Sequence, residues 1–127
     1  MNFPDNLKYT KDHEWISVQG KIGTIGVTDY AQGELGDVVF IDINSAGADI
    51  KAGDSIGTIE AVKTVSDIYA PCSGKIVEVN GHLQTQPEVV NTDPYGLGWM
   101  VKIEIADPSE LNSLLDHEAY KKLIGKF

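Results

Sequence analysis

Few side chains in this sequence are placed to do covalent chemistry. His13, His82 and His117 are far apart, and no pair has metal-ligand spacing. Cys72 has no partner pattern for a nucleophile and reads as an inert, buried thiol. No G-x-x-x-x-G-K-[ST] loop occurs, and Gly23-Thr24-Ile25-Gly26 lacks the strand–glycine–helix context of a phosphate cradle. Lys63 stands apart. It sits with Val62 between two strand-like runs, 55–61 and 64–69. A two-residue hairpin loop normally takes Asn-Gly, Asp-Gly or a glycine pair, because one or both positions need positive φ. A β-branched valine and a lysine break that rule, and such breaks tend to fall at functional sites. The chemistry on offer is a primary amine on a long flexible stem, flanked by Glu60 and Asp67. A solvated lysine at an ordinary bend gives the same pattern. Lys51 and Lys75 also fall at turns, without such surroundings, and read as solvated.

The elements that must position Lys63 are short strands. Glu14–Val18, turn Gln19-Gly20 and Lys21–Val27 read as a hairpin. Thr28 can cap a helical turn or two reaching Leu35. Asp37–Ile43 is apolar enough to be buried on both faces. Lys51–Asp54 and Pro71–Gly74 read as turns, Lys75–Val79 as a strand, and Gly98–Ile105 as the last strand. Trp15, Trp99, Phe40 and Ile41 are expected in the core. Many short strands at regular spacing imply a small sandwich or barrel. Ile22-Gly23-Thr24-Ile25 recurs as Ile56-Gly57-Thr58-Ile59, a faint sign of two similar halves. After Asp107 the pattern turns helical. Asp107 can cap, Pro108 suits the first helical position, and Glu110 sits where a capping-box acid belongs. Leu111, Leu114 and Leu115 form a stripe that Tyr120, Leu123 and Ile124 continue after a break.

Composition limits the partners. The 127 residues suffice for one domain: a β-rich body to about 105 and helices over 107–127. Nineteen acids oppose ten bases, a net charge of −9, and every base is lysine. Without arginine the chain lacks the usual fork for phosphate, so neither nucleic acid nor an anionic membrane is expected as a partner. Met1-Asn2-Phe3-Pro4-Asp5 has no basic-then-apolar leader, and a cytoplasmic location is expected.

Residues 60–74, Glu60-Ala61-Val62-Lys63-Thr64-Val65-Ser66-Asp67 through Pro71 to Gly74, resemble the lipoylation segment of the glycine cleavage system H proteins, E-x-V-K-x-x-S-D-x-x-x-P-x-x-G. The Asn80 that follows fits as well. Tyr9 with His13-Glu14-Trp15, Gly26–Gln32, Leu35–Phe40, Pro94-Tyr95 with Gly98-Trp99-Met100, and Glu110–Tyr120 extend the likeness over nearly the whole chain.

The resemblance implies a mainly β fold, a barrel-sandwich hybrid of two small sheets like those of lipoyl and biotinyl carriers, with a C-terminal helical segment. It implies a non-catalytic, monomeric carrier with lipoate amide-linked to Lys63. Its partners would be glycine decarboxylase (P protein), aminomethyltransferase (T protein), dihydrolipoamide dehydrogenase (L protein) and a lipoate ligase or lipoyl/octanoyl transferase. Glu60, Val62, Ser66 and Asp67 would flank the lysine for recognition. Glu14 and Asp67 occupy positions the family associates with an arm-protecting cleft, although ordinary surface acids would read alike. A biotin carrier would place its lysine between methionines, and 2-oxo acid dehydrogenase lipoyl domains usually show a D-K-A tip; neither occurs here. A lipoate relay or an H-like interaction module is the alternative.

Overall fold

The computed structural model describes residues 2–125. Its elements run β1 (Lys8–Tyr9), β2 (Glu14–Gln19), β3 (Ile22–Val27), α1 (Asp29–Leu35), β4 (Val38–Ile43), β5 (Asp49–Ile50), β6 (Ser55–Ala61), β7 (Val65–Tyr69), β8 (Gly74–Val79), α2 (His82–Thr85), α3 (Val89–Thr92), β9 (Val101–Ile105), a 3-10 turn (Pro108–Ser113) and α4 (His117–Leu123). Two antiparallel sheets form, one ordered β1-β2-β3-β9-β8-β5 and the other β4-β6-β7. This is the expected barrel-sandwich hybrid.

Apolar residues of both sheets meet in one core. Ile25, Ile76, Val101 and Ile103 come from the larger sheet, and Ile41, Ile56, Ile59 and Ile68 from the smaller. Each is buried to 1% exposure or less, so shortening any of them costs about 1 kcal/mol or more through lost burial and a residual cavity. A second cluster of Leu7, Tyr9, Trp15 and Tyr120 fastens the C-terminal helix beneath β1 and β2. The repeated Ile-Gly-Thr-Ile segments fall on β3 and β6, each an inner strand of its sheet. The sheets themselves are unequal. In β6, a side chain on Gly57 would collide with the Asp42 carbonyl, so close pairing with β4 requires glycine there.

Several expectations need correction. β4 is not buried on both faces: it edges the smaller sheet, and a register shift between Val38 and Phe40 turns Val39 and Phe40 outward. Phe40 is therefore 51% exposed rather than core, and Trp99 is only partly buried. Gly98 to Met100 precede β9 in turn and irregular backbone, because Gly98 N–H bonds back to the Asp93 carbonyl.

The C-terminal segment breaks where expected, into a 3-10 turn and α4, but its capping differs in part. Asp107 caps the 3-10 turn through Ser109 N–H. Glu110, however, does not reach back to complete a capping box; its carboxylate accepts from Ser73 N–H at 2.7 Å and Ser73 O–H at 3.1 Å. Leu115 then pairs with Tyr9 as an isolated bridge before α4 begins. Leu123 is exposed, and the final residues of the expected helices over 107–127, 126 and 127, lie outside the described residues. Lys75 lies within β8 rather than at a turn.

Candidate functional site

The β6–β7 hairpin projects Lys63. Ala61 N–H bonds to the Thr64 carbonyl at 2.8 Å, leaving Val62 and Lys63 outside the ladder. The expected backbone strain is absent, since the only positive-φ non-glycine among the described residues is His13. The tip is open rather than wound into a primed turn. It is braced from the side instead: Val62 N–H donates to the Asp37 carbonyl at 3.0 Å.

That brace belongs to a rigid corner. Gly36, at φ +77°, ends α1. Asn91 of α3 clamps the corner by donating to the Gly36 carbonyl at 2.8 Å and accepting from Val38 N–H at 2.9 Å. The Lys63 stem lies across Gly36, where an added Cβ would stand 3.3 Å from Lys63 Cε. Lys63 itself is exposed and makes no ion pair among the described residues. An amine in this setting is accessible, and its stem is directed toward the C-terminal end of α1.

Glu34 and Leu35 at that end of α1 line a cleft of about 140 Å³. Its other walls are Asp12, His13 and Glu14 before and at the start of β2, Ile59 of β6, and Ser66 and Asp67 along edge strand β7. Of the lysine-flanking residues, Ser66 and Asp67 therefore join Glu14 in one cleft. Glu60 and Val62 do not; Glu60 lies between Phe40 and Val65 in register, on the exposed face of the sheet. Asp12, His13 and Glu34 add to its polar lining and Val27 and Ala31 to its apolar lining, and the sequence alone did not single them out for it. The run Asp12-His13-Glu14 was the available signal, but only its φ sign reveals that all three face one space.

Glu14 is the buried acid, 2% exposed. Both oxygens are occupied: Thr10 O–H donates to one at 2.7 Å and Tyr69 N–H to the other at 3.0 Å. Burial pushes its pKa up to about 7, with Asp12 adding to the rise and the two hydrogen bonds opposing it. Asp67 is exposed and accepts from Tyr69 O–H at 3.4 Å. A cation arriving in the cleft would draw Glu14 to its ionised form and find Asp12, Glu34 and Asp67 around it. Cys72 is fully buried, and burial beside Glu110 pushes its thiol up to about 11, as an inert cysteine requires. No group of three acids, histidines or cysteines among the described residues could hold a metal ion.

A two-sheet β domain with a lysine-tipped hairpin is of the lipoyl- and biotinyl-carrier class. Comparison with known proteins narrows this. The family model described as glycine cleavage H-protein matches residues 7–127. A glycine cleavage system H protein of Chlorobium limicola is 56% identical over 128 residues, covering 99% of this chain and 100% of that protein. One of Bacteroides thetaiotaomicron is 55% identical over 125 residues, covering 98% and 99%. The crystal structure of a glycine cleavage system H protein from Mycobacterium marinum superposes with a TM-score of 0.89 at 38% identity, covering 97% of this chain and 99% of that one. The chain belongs to the glycine cleavage H-protein family, the lipoyl carriers of the glycine cleavage system.

Proposed function

We propose that Lys63 is the lipoyl attachment site of a non-catalytic carrier that serves glycine decarboxylase, the aminomethyltransferase and dihydrolipoamide dehydrogenase in turn. The observation that carries this reading is an exposed, unpaired lysine at a braced hairpin tip, beside a cleft lined by carboxylates. Bound lipoate would supply a reducible dithiolane that accepts the aminomethyl group of glycine as its disulfide opens.

The chain's own residues set the conditions for that chemistry. A lysine-acylating enzyme, a lipoate ligase or a lipoyl/octanoyl transferase, must reach the Nζ atom, which exposure allows. Glu60, Val62, Ser66 and Asp67 surround the tip and give such an enzyme its local features. The Asp37 and Asn91 contacts fix where the arm begins, so its free end searches a bounded volume at high effective concentration. Glu14 and Asp67 face the cleft into which a cationic amine can withdraw from water. The net charge of −9 favours encounters with basic docking surfaces.

Mass spectrometry of the protein from a lipoate-supplied host with a lipoate ligase tests the attachment. One lipoyl adduct on Lys63 is expected. A biotin adduct, or an adduct on another lysine, would refute it.

A further inference from the structure

His13 is the only non-glycine residue with positive φ, +69°, among those described. In an extended chain, successive side chains point to opposite faces. The left-handed turn at His13 instead brings Asp12, His13 and Glu14 to the same cleft. Histidine adopts that conformation at a cost, so something must hold it. The holder is the C-terminal helix. Tyr120 O–H lies 2.9 Å from His13 Nδ1 and 2.7 Å from Thr28 Oγ1.

Thr28 is the N-cap of α1, accepting from Ala31 N–H at 3.1 Å, and α1 supplies the facing wall of the cleft. With His13 neutral, the state that burial favours, the donors line up in one direction. Ala31 N–H gives to Thr28, Thr28 O–H to Tyr120, and Tyr120 O–H to His13. Tyr120 cannot drift: it is fully buried, stacked on Tyr9 at 4.8 Å and met edge-on by Phe3. His13 is closed in further by the Tyr30 ring at 5.0 Å, and its carbonyl accepts from Thr28 N–H. One hydroxyl on α4 thus bonds to residues on two walls of the cleft, His13 before β2 and Thr28 at the start of α1.

We infer that Tyr120 and His13 are positioning residues that set the spacing of the arm-shielding cleft, so that the C-terminal helix governs how well a loaded arm is protected from water. This rests on the reading that the cleft receives the arm. The reaction resisted is hydrolysis, in which water replaces sulfur on the methylene carbon, the C–S bond breaks, and the thiol, formaldehyde and ammonia leave.

The test uses lipoylated full-length protein, loaded with labelled glycine by glycine decarboxylase and then separated from that enzyme. First-order release of labelled formaldehyde is followed. Tyr120→Phe keeps the stacked ring and removes only the hydroxyl, and it should speed release roughly 3- to 10-fold, the factor one net hydrogen bond supplies. His13→Gly, which relieves the backbone strain and removes the ring, should do the same. His13→Asn tolerates positive φ and keeps a polar group, so its rate should fall between them and the wild type. Reoxidation of the unloaded, reduced arm of Tyr120→Phe by dihydrolipoamide dehydrogenase should not change. Glu14→Gln separates the two ideas. If it speeds release while Tyr120→Phe and His13→Gly match the wild type, the positioning role is refuted and the cleft survives. If Glu14→Gln also leaves release unchanged, the arm does not shelter there and both fall. A lower melting temperature with an unchanged release rate would make Tyr120 structural only.

Discussion

At the β6–β7 tip, Val62 is 75% exposed and Lys63 has no ion-pair partner among the described residues. At the His13–Glu14 corner, Glu14 is 2% exposed, both its oxygens are hydrogen-bonded, and the preceding residue has left-handed backbone. The tip is unstrained and open; the corner is strained and closed. A group that several enzymes must reach gains from exposure, and exposure leaves little stability to lose there. A group that must exclude water gains from burial, and burial couples it to the fold. Function and stability should therefore separate at the tip and be joined at the corner.

The sharpest way to break that contrast is Lys63→Arg. Arginine keeps the charge and the stem but cannot form the lipoyl amide, so modification and glycine-dependent loading should vanish entirely. Its unfolding free energy should stay within about 0.5 kcal/mol of wild type. A variant that still acquires a lipoyl adduct would show that another lysine is the acceptor.

Glu14→Gln should act the other way, through stability and pH. The carboxyl titrates near 4.5 when unfolded and near 7 when folded. Between those values the folded state holds more protons, so the stability present below pH 4.5 is lost as pH rises through 7. The loss amounts to about 3 kcal/mol. The glutamine variant has no such titration. In urea unfolding at a series of pH values, it should gain about 3 kcal/mol on wild type between pH 4.5 and 8. A constant difference across that range would mean that the Glu14 carboxylate is solvated.

The sequence made the tip more legible than the corner. Val62-Lys63 is a local anomaly, visible as the wrong residues for a two-residue loop, and the family likeness falls on the same segment. The physical reason offered by that anomaly was nevertheless incorrect, since neither residue has positive φ. An open loop braced by Asp37 removed the need, and that brace comes from a segment far from the loop in sequence. The positions of β2, β3, β4, β6, β7 and β8 followed from apolar patterning and turn residues, whereas the two-residue β5 left no such pattern. The outward turn of Phe40 did not follow, because a bulge reverses which face a side chain takes and leaves little trace in the pattern. Glu110 is hidden for a related reason: a capping acid and an acid that binds a distant turn look the same locally. The cleft draws on α1, β3, β6, β7 and the loop before β2, so nothing local tied Glu34 or Asp67 to the run Asp12-His13-Glu14.

Gly36→Ala probes the support beneath the tip. Gly36 has φ +77°, and a methyl there would lie 3.3 Å from Lys63 Cε. With ψ at −157° the backbone lies in a region almost confined to glycine, so strain and crowding together should cost about 2 to 3 kcal/mol. The larger part is backbone strain, so combining this change with Lys63→Ala should recover only a minor share. Full recovery in the double variant would mean that crowding of the lysine stem, rather than φ, sets the cost.

The smallest effect is expected from Val62→Thr, which keeps shape and β-branching and replaces one exposed methyl by a hydroxyl. Its Asp37 contact uses only the backbone N–H, which the substitution leaves in place. Stability should change by less than about 0.5 kcal/mol, because surface side chains without specific contacts contribute little. Any larger loss in denaturant unfolding would show the tip packed into the fold, and the division between an open acceptor and a closed shelter would fail. With stability held, a fall in kcat/KM for lipoylation by a lipoate ligase could be assigned to Val62 itself rather than to a displaced lysine.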